Sequence, residues 1–127
     1  MKIAISGKGG VGKTTLAGVM ARILAAQGRK VLAIDADPDA NLASAIGLSR
    51  EAVQRLSPIA SMTSLIEERT GSRKGSYGTM FKINPKVDDL PDNMGVTHKG
   101  VKLLLLGSIP QGGGGCVCPE NVLLKNL

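Results

Sequence analysis

The sequence predicts an α/β domain in which a mainly parallel sheet is flanked by helices, and three observations lead there. First, the apolar segments alternate in kind. "KIAIS" at 2–6 is a short β-branched run, Leu16, Val19, Met20, Ile23 and Leu24 then recur at helical spacing, and "KVLAIDAD" at 30–37 returns to an apolar strand ending in acids. Strand, helix, strand in that order predicts a βαβ unit with a buried parallel pair and a right-handed crossover. Second, the chain is 43% hydrophobic with one Phe, one Tyr and no Trp, so its interior must be aliphatic, as suits helices packed on a buried sheet. Third, 127 residues are enough for one domain and too few for two.

The remaining elements follow from local signals. Gly28 stops the first helix. After Pro38, "ANLASAIGL" reads as a short helix, and 49–71 as helical material interrupted at Pro58. The stretch 71–102 is rich in Gly, Pro, Asp and Asn, with short strand candidates near "TMFKIN" and "MGVTHKG". "LLLLGSI" at 103–109 is a third buried strand, and "PENVLLKNL" starts a helix with Pro119 in its first turn. The 17 glycines cluster at 7–12 and 112–115 without a repeating period, which marks loops.

Charge and cysteine usage bound the function more loosely. A formal charge of +6 suits nucleic acid, a membrane surface, a nucleotide phosphate or simply a basic surface. No run of about 18 apolar residues exists, and Met1 leads straight into a strand-like segment with no signal-peptide core, so a cytoplasmic location is expected. In that reducing compartment Cys116 and Cys118 are thiols or metal ligands rather than a structural disulfide.

"GKGGVGKTT" from Gly7 to Thr15 has a glycine, four residues, then Gly-Lys-Thr, set between a strand and a helix. Phosphate chemistry needs that arrangement. Gly9, Gly10 and Gly12 let backbone amides, Val11's among them, turn inward on phosphate oxygens while the helix points its positive N-terminus at the same charge. Lys13 is expected to bridge the terminal phosphates, Thr14 to ligate Mg²⁺ through its hydroxyl, and Thr15 to reach the α-phosphate. The fold class is therefore an α/β P-loop NTPase. At the end of the second strand, "DADPDAN" gathers Asp35, Asp37 and Asp39 where ligands collect at the carboxyl ends of parallel strands. Asp35 is expected to support the metal shell through water. Asp39 and Asn41 stand equally well as helix caps.

With Lys8 directly after the loop's first glycine, the motif resembles the deviant phosphate loop of the MinD/ParA and nitrogenase-iron-protein class of dimeric ATPases. The resemblance implies that Lys8 reaches across a dimer interface to the partner's phosphate, the part an arginine finger plays elsewhere. It also implies that Asp37, before Pro38, orients the attacking water near Mg²⁺. The class carries a further Asp in an Asp-x-x-x-Gly context and base-recognition residues beyond it, and neither pattern follows Leu103. The expectation is that residues 1–127 are the N-terminal part of a single nucleotide-binding domain, truncated and incomplete.

Cys116 and Cys118, in "GGGGCVCPEN", face one side of an extended backbone about 6.6 Å apart at a rise of about 3.3 Å per residue. They precede a helix N-terminus, which favours thiolate. Two thiolates are half of a tetrahedral site, and a symmetric homodimer would supply the other half around an ion on its two-fold axis. His98 has no evident reason to join them. "GKGGVGKTT", "DADPDANLASAIGLS", "NPKVDD" and "CVCPEN" together resemble the CooC-type accessory ATPases that mature the nickel site of carbon monoxide dehydrogenase. This implies ATP-dependent dimerisation coupled to binding and delivery of Ni²⁺, with Zn²⁺ as a competitor and that dehydrogenase as client; no nucleic acid or membrane partner is expected. The competing reading is a ParA-type partitioning or positioning ATPase whose basic patch would be Arg69, Arg73 and Lys74. An inert nucleotide-binding relic is the third.

Overall fold

The computed structural model describes residues 1–37, 39–71, 80, 82–107 and 118–127, the last group in its side chains from residue 122 onward. Three strands form one sheet: β1 (Val31–Asp35), β2 (Val96–His98) and β3 (Val101–Leu105), in the order β1-β3-β2. β1 and β3 run parallel in the register Val31↔Val101 to Asp35↔Leu105, and β2 folds back antiparallel with Val96 opposite Leu103. The β2–β3 turn is built on Lys99 and Gly100, both at positive φ (47° and 80°), the geometry whose twist matches a two-residue hairpin. The α/β expectation therefore holds, with a mixed sheet.

β3 explains where the core lies. Its residues are almost continuously apolar because both faces of the strand are covered. Val101, Leu103 and Leu105 pack with Ala21 of α1 (Lys13–Ala26), with Leu42, Ala43 and Ile46 of α2 (Leu42–Ile46), and with Leu48 and Leu56 on either side of α3 (Arg50–Gln54). On the opposite face, Leu104 and Leu106 pack with Ile59 of a 3-10 turn, Ile66 of α4 (Thr63–Thr70), Leu90 of α5 (Leu90–Met94) and Leu123 of α6 (Cys118–Asn126). Alternate strand residues thus serve two helical layers, as the strand's two-residue period requires. Each fully buried Leu contributes about 1.5–3 kcal/mol relative to exposure.

Helices α1, α2, α3, α4 and α6, and the break at Pro58, fall where the sequence placed them. α5 lies inside the stretch 71–102, where no helix is expected, and Pro91 in its first turn is its start signal. Met80 and Lys82–Asn84 of "TMFKIN" are not strand. β3 starts two residues earlier than expected and closes at Leu105.

One expectation is overturned. Residues 2–6 are not a strand: 1–7 carry no regular structure, and Ile3 is 52% exposed. The parallel partner of β1 is β3 instead, while the other edge of β3 is taken over Val101–Leu103 by β2. That hairpin closes with two residues, whereas pairing 2–6 there closes a loop of about a hundred at a larger entropic cost. The fully buried residues of α1 are small ones, while Met20 and Leu24 are half-buried. The helix buries Gly18 and Ala21, with Ala17 and Ala25 partly covered, because α2 approaches so closely that a Cβ on Gly18 would lie 2.9 Å from Ala45 Cβ. Leu16, Val19 and Ile23 face outward.

Among the described residues, no helix is long and apolar enough to cross a membrane.

Candidate nucleotide-phosphate site

The loop before α1 is shaped by two glycines. Gly10 and Gly12 sit at φ of 81° and 87°, a region that residues with a side chain rarely adopt, and Gly12 is the N-cap of the helix. No side chain caps α1, and its first turn contains no acid. Its first N–H groups are therefore left for an external acceptor, and the helix dipole adds positive potential there. Lys13, Thr14 and Thr15 occupy the first three helical positions, so their polar ends gather at that terminus.

The Lys13 ammonium donates to the Lys8 carbonyl at 3.2 Å, which folds the loop back over the helix start. A phosphate entering the loop would exchange that neutral acceptor for an anionic one, a stronger hydrogen bond for the same donor. Lys8 itself projects into solvent, as does Val11 at 64% exposure.

Facing the loop is the segment between β1 and α2. An open cleft of about 540 Å³ is lined by Gly9, Gly10, Gly12, Lys13, Thr14 and Thr15 on one side and by Asp37, Asp39, Asn41 and Ala45 on the other. The structure thus brings the phosphate loop and the acidic loop, more than twenty residues apart in sequence, to one opening. This fits a polyphosphate with a divalent cation: an uncapped helix end and Lys13 for anionic oxygens, and the Thr14 hydroxyl with the carboxylates for a hard cation.

Asp35 is placed differently from the other two acids. It is 6% exposed at the end of β1, and its two oxygens accept backbone N–H groups from Asp37 at 3.2 Å and from Leu42 at 2.9 Å. Its carboxylate is committed to the chain and does not line the cleft. Asp37 Oδ1 in turn accepts the Asp39 N–H at 3.0 Å, and Asn41 Nδ2 donates to the Asp39 carbonyl at 2.8 Å, so the loop is pinned every second residue. Asn41 occupies the N-cap position of α2, but its side chain makes no capping bond, and Asp35 does that work from seven residues upstream. Sequence reasoning missed this, since capping is ordinarily sought in the residue next to the helix.

Arg69 is not available as a nucleic-acid contact. Its guanidinium holds Asp89 at 3.0 and 2.7 Å and donates to the Lys86 carbonyl at 3.1 Å, joining α4 to the approach to α5. Hydrogen bonding to Arg69 holds the Asp89 carboxyl below the usual carboxylate range. Arg73, Lys74 and Cys116 lie outside the described residues, and Cys118 is described only as the first backbone residue of α6. His98 lies on β2 with its buried Nε2 lacking a hydrogen-bond partner among the described residues, 3.5 Å from the Cβ position of Gly47.

A glycine loop at an uncapped helix start, closed by a lysine and faced by carboxylates from the neighbouring strand end, defines a P-loop nucleotide-binding domain. The chain belongs to the CobQ/CobB/MinD/ParA nucleotide binding domain family, which it matches over residues 2–112. It is 55% identical over its whole length to the carbon monoxide dehydrogenase accessory protein CooC of Rhodospirillum rubrum, covering 48% of that protein. It is 50% identical, again over its whole length, to an uncharacterized ATP-binding protein of Methanocaldococcus jannaschii, covering 48% of it. A chromosome partitioning protein ParA of Caulobacter vibrioides is 54% identical over 43 residues, 34% of this chain. The chain spans about half the length of the full-length relatives it matches.

Proposed function

We propose that the chain carries the nucleotide-binding half of a CooC-type cytoplasmic ATPase, a homodimer that couples ATP hydrolysis to handling Ni²⁺ or Zn²⁺ for carbon monoxide dehydrogenase. The observation that carries this reading is the convergence of Lys13, Thr14 and Asp37 on one cleft, in a chain similar to CooC from end to end. Lys13 would leave the Lys8 carbonyl to hold the β- and γ-phosphates, the α1 amides would receive phosphate oxygens, and the Thr14 hydroxyl would help hold Mg²⁺, which would supply neutralisation of developing charge. Thr15 steadies the α-phosphate. Asp37 accepts a proton from the attacking water and orients it toward the γ-phosphorus. Asp35 acts through the loop it fastens. Lys8, exposed in the phosphate loop, serves a partner's phosphate across a dimer interface in this reading.

Cys116 and Cys118 would meet the same pair of a second copy around one ion. Two thiolates satisfy half of a four-sulfur shell, so metal should bind at one ion per two chains and drive dimerisation by mass action. Binding should weaken as pH falls, because protons compete for sulfur. Titrating Zn²⁺ or Ni²⁺ into the wild type and into Cys116→Ser with Cys118→Ser, while following mass, tests this. One metal per chain, or dimerisation indifferent to the cysteines, contradicts it. The partitioning alternative rests on a 43-residue match and on a basic patch whose Arg69 is already engaged by Asp89.

A further inference from the structure

The end of the sheet away from the cleft carries a second electrostatic feature. β1 and β3 start side by side, with Val31 opposite Val101, so Lys30 stands beside Gly100 and Lys99. Arg29 adjoins them, because its N–H returns to the Leu24 carbonyl at 3.1 Å and holds the exit of α1 at the same end. The β2–β3 turn is seated on that helix: a Cβ on Gly100 would lie 3.3 Å from Ala25 Cβ. All three cations are exposed, and among the described residues none has an acidic partner or a side-chain hydrogen bond. Asp92 is held by Lys102, and the acidic loop begins at the far end of β1, about 13 Å along the strand.

Local physics does not account for this gathering. A helix dipole favours a cation just past its C-terminus, which explains Arg29, but the effect falls off within a turn. Lys99 stands against local preference. Among the described residues it is the single non-glycine at positive φ, 47°, and it takes the first position of a two-residue turn, where asparagine, aspartate or glycine is favoured. A cation is thus held in a strained turn beside two like charges, with no acid to offset them. A residue kept in place against local preference points to a use for its side chain.

We propose that Arg29, Lys30 and Lys99 form a docking surface for an acidic stretch of another polypeptide, on the end of the sheet opposite the nucleotide cleft. Charge complementarity selects this partner. Neighbouring strands lie about 4.8 Å apart, so the three cations fall within one Debye length, about 10 Å at 0.1 M salt, and act together on carboxylates spaced along one segment. Between them lie Gln27, Gly28 and Gly100, with no aromatic ring to stack on bases and no large apolar side chain to enter lipid. Three cations also fall short of the roughly six to ten phosphates that a duplex-binding surface neutralises. The place of the patch leaves it open while nucleotide fills the cleft.

The test titrates a synthetic poly-glutamate peptide into the chain at about 0.1 M salt. Lys30→Gln with Lys99→Asn removes two charges from the patch, while Arg50→Gln with Arg55→Gln removes two exposed charges at α3. The first pair is expected to weaken binding at least about threefold, on the scale of two exposed ion pairs, and the second to leave it nearly unchanged. Lys99→Asn alone gives the turn a favoured residue, so it is expected to keep or raise the thermal midpoint while lowering affinity, a combination that a purely structural lysine does not give. Equal losses from the two double variants overturn the proposal, since net charge is then the cause. So does a midpoint that Lys99→Asn lowers, or a wild type that does not bind the peptide. A DNA duplex or phosphatidylglycerol vesicles that bind more tightly than the peptide, and are released by Lys30→Gln with Lys99→Asn, overturn it in favour of a phosphate-bearing partner.

Discussion

The Asp35 carboxylate accepts the Leu42 N–H at 2.9 Å, so the last residue of β1 caps the first turn of α2. With its other oxygen on the Asp37 N–H, Asp35 draws the intervening loop into an arch whose far side carries Asp37, Asp39 and Asn41 into the cleft. The position of the acidic loop against the phosphate loop is thus fixed by a residue that does not itself face the opening.

Asp35→Asn keeps the shape but turns one acceptor into an NH₂ that faces an N–H. One of the two backbone bonds must be lost inside a buried site, which should lower the unfolding free energy by about 1–3 kcal/mol. Urea denaturation of the variant against the wild type measures this, and an unchanged midpoint would show that the arch is held by other contacts.

Gly18 permits the approach of α1 to α2. A Cβ there meets Ala45 Cβ at 2.9 Å and the Ala45 carbonyl at 3.2 Å, and backbone cannot yield as a flexible side chain can. Gly18→Val is therefore expected to destabilise by about 1–3 kcal/mol through overpacking, despite the better helix propensity of almost any residue over glycine. Thermal unfolding should show a lowered midpoint. An equal or raised one would mean that the helices separate freely.

Asp89 contributes an acid-dependent part of the stability. Its folded-state pKa is lowered, chiefly by hydrogen bonding to Arg69. The unfolded chain therefore takes up this proton first as pH falls. The stabilisation is fully present above the unfolded carboxylate value of about 3.9, and is lost as pH drops through it toward the lowered folded value. In Asp89→Asn that part of the acid limb should flatten, with stability at neutral pH reduced. Parallel acid limbs in denaturation from pH 6 to 2 would show that the pair contributes nothing.

How far the sequence reveals this molecule depends on where each signal acts. Local signals carried: the glycine loop, the 3.6-residue period of α1, the apolar run of β3 and the break at Pro58 all act within a few residues. Long-range competition did not. Nothing local shows that β2 would occupy the edge of β3 needed by segment 2–6, or that small rather than large residues of α1 would be buried. The cleft was legible because Lys13, Thr14 and Asp37 each lie at a strand or helix end, where topology brings them together. The part of Asp35 was not, because it depends on the path of the loop between Asp35 and Leu42. That Arg69 is held by Asp89 was hidden for a similar reason, since Asp89 lies twenty residues away.

The most direct test of the account is calorimetric titration of Mg·ATP into the wild-type chain and into Lys13→Ala. Lys13 is the cation of the loop that lines the cleft, and among the described residues its ammonium is held by one neutral carbonyl. Removing it leaves the phosphates without their charged donor, a loss of about 2–3 kcal/mol or a 30- to 150-fold weaker affinity on the scale of about 1.4 kcal/mol per decade. The account predicts measurable binding by the wild type and a loss of that size in the variant. Equal affinities, or a wild type that binds no nucleotide, would contradict the assignment of the cleft as a polyphosphate site.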